Sequence, residues 1–347
     1  MIKIGINGFG RIGRAFFRIN LLHEEYEIVA INEIDPDINN MAYLLKYDST
    51  YGKLFNNKIS CEGEYLIIDE NKVKFYCERE ISNVPWNLHE VDVIIDSSGV
   101  FDNVLGSQKL ILDNVVKKVI VTHSPKTSTD ITLMIGVNDH DYNSEIHHVI
   151  SSSICDANAV TPFYHLIDQN FGIEVGEVTT LHPWLSYQNV LDGNVKSVSS
   201  PGHFWNDFAL GRNSTVSLIP KETSLVSAME KVKPGVENII SAMSFRTPTA
   251  IVSAADGCFY LKRDTSIEEI LECIKKFNIQ YPNVINFDTK SLVSIDYLAN
   301  ENAAILDGRF LKIINKKLLK FVLWYDNEWG YAKRAYNIVN FCLNSRK

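Results

Sequence analysis

The stretch KIGINGFGRIG, residues 3–13, decides how the chain begins to fold. Lys3–Ile6 is a short, mostly apolar run that is typical of a buried strand. It leads directly into three glycines with the spacing GxGxxG, at Gly8, Gly10 and Gly13. Apolar residues then recur at helical spacing, which predicts a helix with one buried face formed by Ile12, Ala15, Phe16 and Ile19. The stretch therefore predicts strand, turn and helix.

This turn has the chemistry of a dinucleotide site. Glycine lets the backbone approach a pyrophosphate, and a helix N-terminus offers unpaired N–H groups and a partial positive charge. A second apolar strand, Ile28–Ile31, is followed by Glu33, 25 residues after Gly8. An acid there can accept both ribose hydroxyls and repels a 2′-phosphate, which favours NAD over NADP. The alternative is a glycine turn with a purely steric role.

Three further apolar runs alternate with helical stretches in the first half of the chain, at Val91–Ile95, Val119–Val121 and Ile131–Val137. The alternation predicts an α/β fold with a mostly parallel, doubly wound sheet of the Rossmann type. Ser98 and Thr122 fall at predicted strand ends, where the ligands of such sheets bind.

The composition bounds the class of protein. At 347 residues, with 46% hydrophobic and 22% charged residues, the chain predicts a globular protein of two domains. A net charge of −8 disfavours nucleic acid and anionic membranes as partners. We find no secretory signal and no segment near the roughly 20 apolar residues of a membrane span, so we expect a cytoplasmic protein. The six cysteines form no CxxC pair, which predicts reduced thiols and no metal centre.

The second half of the chain predicts a separate α+β domain, because longer strand-like runs replace the earlier pattern at Glu174–Leu181, Ala250–Lys262 and Lys320–Tyr325. Cys155 precedes a predicted helix, Asn158–Asp168, and a thiol at a helix N-terminus has a lowered pKa. His182, 27 residues later, ends a predicted strand and is a candidate base for this thiol. The residues alone leave a core cysteine and a capping histidine as the alternative.

Several motifs together resemble the glyceraldehyde-3-phosphate dehydrogenase family. They occur in one order over essentially the whole chain: INGFGRIGR at 6–14, LLKYDS at 44–49, VPW at 84–86, the Cys155 segment, SFRTPT at 244–249 and WYDNEWGY at 324–331. The resemblance implies an NAD-dependent aldehyde dehydrogenase whose default substrate is glyceraldehyde 3-phosphate. It implies that Cys155 attacks the aldehyde to give a thiohemiacetal, that His182 takes the proton, and that hydride transfer leaves a thioester.

The resemblance also implies the cofactor site, the domain limits and the assembly. The positions that match NAD-binding residues of the family are Asn7, Gly8, Gly10, Arg11, Ile12, Glu33, Arg79, Ser98, Thr122, Asn327 and Tyr331. Asn327 matches the residue that orients the nicotinamide amide, whereas Glu33 replaces the commoner aspartate. We expect an NAD-binding domain at 1–152 with a C-terminal helix at 328–347, a catalytic domain at 153–327, and a homotetramer.

The nucleophile segment departs from the family. The family has Ser-Cys-Thr-Thr-Asn, whereas residues 154–158 read ICDAN. The family serine and threonine help to bind the attacking phosphate, but Ile154 offers no hydrogen bond. Ionised Asp156 would repel a phosphate 4 Å away by roughly 4 kcal/mol at an effective dielectric constant of about 20. Asp156 should also raise the pKa of Cys155 and so oppose the helix N-terminus.

The expected substrate site combines kept and altered residues. Arg212, Arg246 and Thr223 match family residues, whereas Leu185 and Tyr187 stand where the family usually has polar side chains. Two guanidiniums in a cleft favour a bound anion, and solvated or ion-paired arginines are the alternative.

A loop around Ser197–Trp205 is longer than in typical members. It could bring His203 and Trp205 into the cleft or alter a tetramer contact, and the alternative is that it only covers surface.

Three other functions stay open beside phosphorylating oxidation of glyceraldehyde 3-phosphate. Asp156 could position a water that hydrolyses the thioester to the free acid. The aldehyde could be a different small anion. The chain could also be a non-catalytic, NAD-binding regulatory protein, which the presence of Cys155, His182, Asn327 and both arginines disfavours.

Overall fold

The structure is a computed structural model that describes residues 1–126, 129–196 and 207–344. The described residues divide into two compact units, one formed by those within 1–133, 142–152 and 332–344 and the other by those within 134–141 and 153–331. The domain limits expected from the sequence differ from these units in the placement of 134–141 and 328–331, and that division stays a prediction.

Among its described residues, the first unit has three α-helices between its strands, α1 (Arg11–His23), α2 (Ile38–Lys46) and α3 (Asn103–Leu112). Its described strands are, in chain order, β1 (Ile2–Asn7), β2 (Tyr26–Asn32), β3 (Tyr47–Asp48), β4 (Gly52–Lys53), β5 (Ile59–Glu62), β6 (Tyr65–Ile68), β7 (Asn71–Tyr76), β8 (Val93–Asp96), β9 (Lys118–Val121), β10 (Ile131–Thr132) and β11 (Val149–Ser151).

Nine of these described strands form one sheet in the order β10-β11-β9-β8-β1-β2-β7-β6-β5. The pairs from β10 to β7 are parallel, and β6 and β5 extend the edge as antiparallel strands. Val93–Asp96 and Lys118–Val121 are buried along their whole length, as the central strands of a sheet covered on both faces must be. The α/β prediction with a mostly parallel sheet is therefore confirmed.

One predicted strand is much shorter than expected. The run Ile131–Val137 forms only β10, Ile131–Thr132, because the chain turns immediately afterwards. Gly136 has a φ of +83°, and Asn138 Oδ1 accepts a hydrogen bond from the Met134 N–H at 2.9 Å. Apolar periodicity alone cannot reveal a turn that a glycine and an asparagine impose.

The second unit is an α+β unit. Its described elements are, in chain order, α4 (Cys155–Phe171), β12 (Ile173–Pro183), β13 (Ile219–Lys221), α5 (Leu225–Glu230), β14 (Ile240–Thr247), β15 (Ser253–Leu261), α6 (Ile267–Gln280), β16 (Ile285–Asp288), β17 (Ala304–Asp307), β18 (Lys312–Ile314), β19 (Leu318–Tyr325) and the start of α7 (Trp329–Asn344), which from Ala332 belongs to the first unit.

The described strands of this unit form a mixed sheet in the order β13-β14-β12-β15-β19-β17-β16, with β18 paired to β19. The neighbours β12 and β14 are parallel, and β15 pairs antiparallel with both β12 and β19. The three strands expected from the sequence correspond to β12, β15 and β19. The parallel register of β12 and β14 places His182 directly opposite Arg246.

Helix α4 is held against this sheet by aromatic packing. The Phe163 ring centroid lies 6.4 Å from that of Phe259 and 4.8 Å from that of Phe321. A Cβ on Gly257 would lie 2.3 Å from the Phe321 ring, so the absence of a side chain there makes room for the cluster. This packing holds α4, whose first residue is Cys155, against the sheet. In the described part of the chain, no helix combines the length and the apolar character needed to cross a membrane.

Candidate active site

The glycine turn joins β1 to α1. Gly8 has a φ of +87°, and a Cβ there would lie 2.5 Å from the Ser98 backbone nitrogen. A Cβ on Gly13 would lie 2.2 Å from the Gly8 carbonyl oxygen, whereas a Cβ on Gly10 would meet no atom within 4 Å. Packing inside the unit therefore explains two of the three glycines. The third borders open space at the start of α1.

Helix α1 presents an N-terminus suited to an anion. Gly10 is its N-cap residue, no side chain caps the helix, and its first turn has no acidic residue. The N–H groups and partial positive charge of such a terminus favour a phosphate. Arg11 forms an ion pair with Asp48 and lies 5.4 Å from the Tyr51 ring centroid, while Ile12 is half-buried in the same turn.

Glu33 follows β2 and is fixed beside the glycine turn. Its Oε2 accepts a hydrogen bond from the Phe9 N–H at 2.6 Å, and its Oε1 accepts one from the Ile34 N–H at 2.8 Å. The carboxylate therefore reaches the glycine turn from the neighbouring strand. Arg79, after β7, is exposed.

A polar network joins the carboxyl ends of four neighbouring parallel strands. Asn7 Nδ2 donates to Asp96 Oδ1 at 2.9 Å, and Asn32 Nδ2 donates to Asn7 Oδ1 at 2.8 Å. Ser98 Oγ donates to the same Asp96 oxygen at 2.7 Å, and the Thr122 N–H donates to the Asp96 carbonyl oxygen at 2.9 Å. The fold thus brings Asn7, Ser98 and Thr122 together at one edge of the sheet.

Cys155 is the first residue of α4, three positions before the predicted helix start at Asn158. Its Sγ atom lies 3.5 Å from His182 Nε2 and 3.5 Å from Asp156 Oδ1. The thiol can therefore donate its one hydrogen to the imidazole or to the carboxylate. The half-buried cysteine and the buried histidine, which the sequence could relate only by their spacing, are in contact.

Neighbouring groups fix the histidine and the carboxylate. His182 Nδ1 lies 2.8 Å from the Pro183 carbonyl oxygen, which can only accept, so Nδ1 carries the hydrogen and the Nε2 lone pair faces Cys155. Tyr325 donates its hydroxyl hydrogen to Asp156 Oδ1 at 2.8 Å, and that oxygen lies 3.9 Å from His182 Nε2. The three reactive groups are therefore held in one arrangement.

Both the thiol and the imidazole are uncharged at neutral pH. Burial raises the pKa of Cys155 well above its usual value, and the Asp156 charge adds to this effect more than Arg246 opposes it. Burial also lowers the pKa of His182 to about 4, and the Arg246 charge acts in the same direction. We expected the helix N-terminus to lower the pKa of Cys155, but burial and the Asp156 charge outweigh that effect. Attack by sulfur therefore requires proton transfer, because no thiolate–imidazolium pair is formed in advance.

Arg246 supplies a buried positive charge beside the histidine. It is 7% exposed, and its Nη2 donates to the Tyr187 hydroxyl at 3.5 Å. Its Nε is buried and has no hydrogen-bond partner among the described residues. A buried guanidinium with a vacant donor is suited to an anionic ligand.

Two residues near the site were missed in the sequence. Tyr325 lies in the WYDNEWGY motif, but its bond to Asp156 spans 169 positions and has no local signal. Lys221, on β13, donates to the Glu222 carbonyl oxygen at 2.6 Å. Burial and then the Arg246 charge lower the pKa of Lys221, which places this second cation in the same electrostatic environment. Its position two residues before Thr223 was the available signal.

The other predicted anion-binding residues, Arg212 and Thr223, form no hydrogen bond with His182 or Arg246 in the described part of the chain. Arg212 is exposed, and its Nε donates to Asp192 Oδ2 at 2.9 Å in an ion pair. Thr223 Oγ1 accepts a hydrogen bond from the Leu225 N–H at 3.2 Å. Within the described ranges, neither side chain hydrogen-bonds to His182 or Arg246. Leu185 is half-buried, and its N–H donates to Gln188 Oε1 at 3.0 Å.

The residues after β19 add one vacant acceptor. Asn327 is 5% exposed, and its Oδ1 is buried without a hydrogen-bond partner in the part of the chain that the structure describes. Tyr331 donates its hydroxyl hydrogen to the Ser153 carbonyl oxygen at 2.9 Å, two residues before Cys155.

Two family models match the chain. Residues 2–104 match the model described as "Glyceraldehyde 3-phosphate dehydrogenase, NAD binding domain", and residues 154–327 match the corresponding C-terminal domain. The chain belongs to the glyceraldehyde-3-phosphate dehydrogenase family. The match confirms the recognised family, the fold class, the oxidoreductase class and NAD as cofactor.

Curated glyceraldehyde-3-phosphate dehydrogenases resemble the chain over almost its whole length. "Glyceraldehyde-3-phosphate dehydrogenase 1" of Kluyveromyces lactis is 35% identical over 340 residues, 98% of this chain and 99% of that protein. The enzyme of Eremothecium gossypii is 36% identical over 340 residues, and "Glyceraldehyde-3-phosphate dehydrogenase 3" of Saccharomyces cerevisiae is 36% identical over 342 residues. In both cases the alignment covers 98% of each chain.

The residues present fit the cofactor of the glyceraldehyde-3-phosphate dehydrogenase family. The open space at Gly10 and the uncapped start of α1 suit a pyrophosphate, and the vacant Asn327 oxygen suits an amide donor. The loop around Ser197–Trp205, with His203 and Trp205, lies outside the described residues.

Proposed function

We propose that this protein oxidises a small anionic aldehyde with NAD, by default glyceraldehyde 3-phosphate, through a covalent intermediate on Cys155. The observation that carries the proposal is the 3.5 Å contact between Cys155 Sγ and the Nε2 lone pair of His182. The family match and the names of the curated relatives support the substrate. The roles of individual residues below are part of the proposal.

Cys155 and His182 perform the covalent chemistry. As Sγ bonds to the aldehyde carbon, the thiol proton passes to His182 Nε2, and the carbonyl oxygen takes up negative charge. The Cys155 backbone N–H and the protonated His182 are donors for that oxygen. The protonated His182 then gives its Nε2 proton to that oxygen, which forms the thiohemiacetal hydroxyl. His182, now neutral, acts as the base that takes this proton back while hydride leaves the carbon. The product on Cys155 is a thioester.

The cofactor residues hold and orient NAD. When bound, NAD accepts the hydride that leaves the thiohemiacetal carbon. Gly8, Gly10 and the start of α1 would receive the pyrophosphate, and Glu33 the adenosine ribose. Asn327 Oδ1 would accept a hydrogen bond from the nicotinamide amide. The positions that complete this proposed set are Asn7, Arg11, Ile12, Arg79, Ser98, Thr122 and Tyr331.

The substrate residues attract the anionic part of the aldehyde. Arg246 has a buried, vacant donor beside His182, so it is the primary anion ligand in this proposal. Arg212 and Thr223 are proposed as further ligands on the family resemblance alone. Asp156 borders the reacting sulfur and restricts which acyl acceptor can approach.

Hydrolysis of the thioester is the second candidate outcome. Asp156 Oδ1 lies 3.5 Å from the reacting sulfur, and Ile154 supplies no side-chain donor for a phosphate. At an effective dielectric constant of about 20, a carboxylate repels an anion 4 Å away by roughly 4 kcal/mol, whereas it can accept a hydrogen bond from water. This chemistry favours water over phosphate as the group that cleaves the thioester.

The first experiment measures NADH formation from NAD and glyceraldehyde 3-phosphate, with and without inorganic phosphate. Phosphate-independent turnover supports hydrolysis, and phosphate-dependent turnover supports acyl transfer to phosphate. Asp156→Thr should increase the phosphate dependence, whereas Asp264→Thr, which alters an exposed carboxylate paired with Lys316, should not. No NADH and no labelling of Cys155 by a thiol reagent would instead favour a non-catalytic NAD-binding protein.

The proposal includes the location and the assembly. The cytoplasmic location is supported by six free cysteines, and the homotetramer is supported by the family resemblance alone. Fractionation and sedimentation analysis of the full chain test these two points. The proposed domain limits are 1–152 with 328–347 for NAD binding and 153–327 for catalysis.

A further inference from the structure

Three potential metal ligands of different chemistry meet in the second unit. They are the sulfur of Cys155, a carboxylate oxygen of Asp156 and a ring nitrogen of His182, and all lie within 4.8 Å of one another. Among the described residues, these three form the one group of histidine, cysteine and acidic side chains whose possible ligand atoms lie this close together. The aspartate at position 156 completes the set.

The spacing of the three atoms matches tetrahedral coordination. With Zn–S near 2.3 Å and Zn–N or Zn–O near 2.0–2.1 Å, ligand atoms of a tetrahedral zinc site lie about 3.3–3.6 Å apart. Here Sγ lies 3.5 Å from Nε2 and 3.5 Å from Oδ1, and Nε2 lies 3.9 Å from Oδ1. Only the last distance must shorten, by about half an ångström, which rotation of the side chains can provide.

The ligands are also oriented as in known metal sites. Coordinating histidines usually donate their second ring N–H to a carbonyl or carboxylate, and coordinating carboxylates are themselves hydrogen-bonded. His182 Nδ1 makes such a bond to the Pro183 carbonyl oxygen, which leaves Nε2 free to coordinate. Tyr325 donates to the Asp156 oxygen that faces the other two ligands. The outer partners are therefore in place before any ion binds.

The ligand set selects a borderline-soft divalent cation. A thiolate and an imidazole prefer zinc to magnesium or calcium, which bind oxygen ligands. A thiolate, a carboxylate and a neutral imidazole would balance the charge of a dication in this buried position. The nearby Arg246 and Lys221 both oppose the ion, but three direct ligands at bonding distance outweigh two cations outside the site.

We propose that Cys155, Asp156 and His182 form a zinc site with its fourth position open to water. Binding transfers the thiol proton to solvent as the sulfur–zinc bond forms. The nucleophile is then blocked, and a chelator restores the thiol by removing the ion. The site stands on geometry alone and does not require the proposed dehydrogenase activity.

The test is a zinc titration of the full-length, chelator-treated protein against a chromophoric competitor, without NAD or aldehyde. We expect one equivalent of zinc to bind and to block alkylation of Cys155, and one equivalent of Co²⁺ to give a thiolate-to-metal charge-transfer band. Asp156→Asn should raise the Kd for zinc at least about tenfold. Cys77→Ser, which removes an exposed thiol, should bind as the wild type does.

The proposal is wrong if zinc leaves the alkylation rate of Cys155 in the wild-type protein unchanged, a result that needs no variant to fold. It is also wrong if folded Asp156→Asn binds zinc like the wild type, or if Cys77→Ser loses the site. Failure of the zinc site leaves NADH formation by the metal-free enzyme intact. Failure of the dehydrogenase proposal likewise leaves the titration unaffected.

Discussion

Replacing Asp156 by asparagine tests what suppresses the reactivity of Cys155. The change removes a charge and keeps the shape, and the amide oxygen can still accept from Tyr325. A thiolate and a carboxylate at the observed 3.5 Å repel by about 5 kcal/mol at an effective dielectric constant of about 20. At about 1.4 kcal/mol for each tenfold, the thiolate population at neutral pH should rise by more than three powers of ten.

The rate of alkylation should rise less than the thiolate population. A more acidic thiol is a weaker nucleophile, with a Brønsted coefficient of about 0.4–0.5, so roughly half of the gain on a logarithmic scale is lost. We therefore expect Asp156→Asn to react with iodoacetamide about a hundredfold faster than the wild type at pH 7. Peptide mass spectrometry follows Cys155, with the exposed Cys77 as an internal control in each sample.

Two controls make this result decisive. Asp256→Asn removes an exposed carboxylate that pairs with Lys320 on the same sheet, and it should leave the Cys155 rate unchanged. Circular dichroism establishes that both variants fold. If folded Asp156→Asn reacts less than about threefold faster than the wild type, burial alone suppresses the thiolate and the electrostatic argument is refuted.

The other predictions concern the cofactor turn, the anion site and the buried histidine. Gly10→Ala should weaken NAD binding in calorimetry without lowering Tm, whereas Gly13→Ala should lower Tm, because only the second Cβ collides with the protein. Arg246→Lys should raise KM for an anionic aldehyde at least about tenfold and leave KM for NAD unchanged, since lysine lacks the planar fork. The pKa of His182 is about 4 in the folded protein and 6.5 in the unfolded chain, so the unfolded state binds more protons between these values. The free energy of unfolding, measured with urea, should therefore fall as the pH drops from 6.5 to 4. The loss should be up to about 3 kcal/mol larger in the wild type than in His182→Gln. A lower Tm for Gly10→Ala would contradict the argument from the glycine turn, and an unchanged KM for the aldehyde in Arg246→Lys would contradict the anion site. Equal losses of stability in the wild type and in His182→Gln would contradict the lowered pKa of His182.

The sequence predicted what local pattern encodes. The strand, glycine turn and helix at residues 3–19 follow from spacing and periodicity, and the structure has β1 and α1 there. The helix after Cys155 was also predicted, but its start was placed at Asn158, three residues after the observed start at Cys155. Asp156 lies in the first turn of this helix, where the helix dipole favours an acidic residue.

Contacts between distant positions could not be predicted from one sequence. The bond from Tyr325 to Asp156 depends on how β19 lies beside α4, and the pairing of His182 with Arg246 depends on the register of β12 and β14. The spacing of Arg212 could not reveal its ion pair with Asp192, because both lie in connecting segments rather than in a periodic element. The chemical character of individual residues could therefore be predicted from the sequence, whereas the orientation of distant residues relative to one another could not.

The hydrogen bond between the Cys155 thiol and the Asp156 carboxylate bears on how the protein meets oxidants. Peroxides react with thiolates, and cysteines that sense them have low pKa values and accessible sulfur. In this protein the resting sulfur is a neutral, half-buried thiol beside a fixed negative charge. Its oxidation to sulfenic acid should therefore be slow in the resting state. The Asp156 carboxylate should thus protect the Cys155 sulfur from oxidation during oxidative stress.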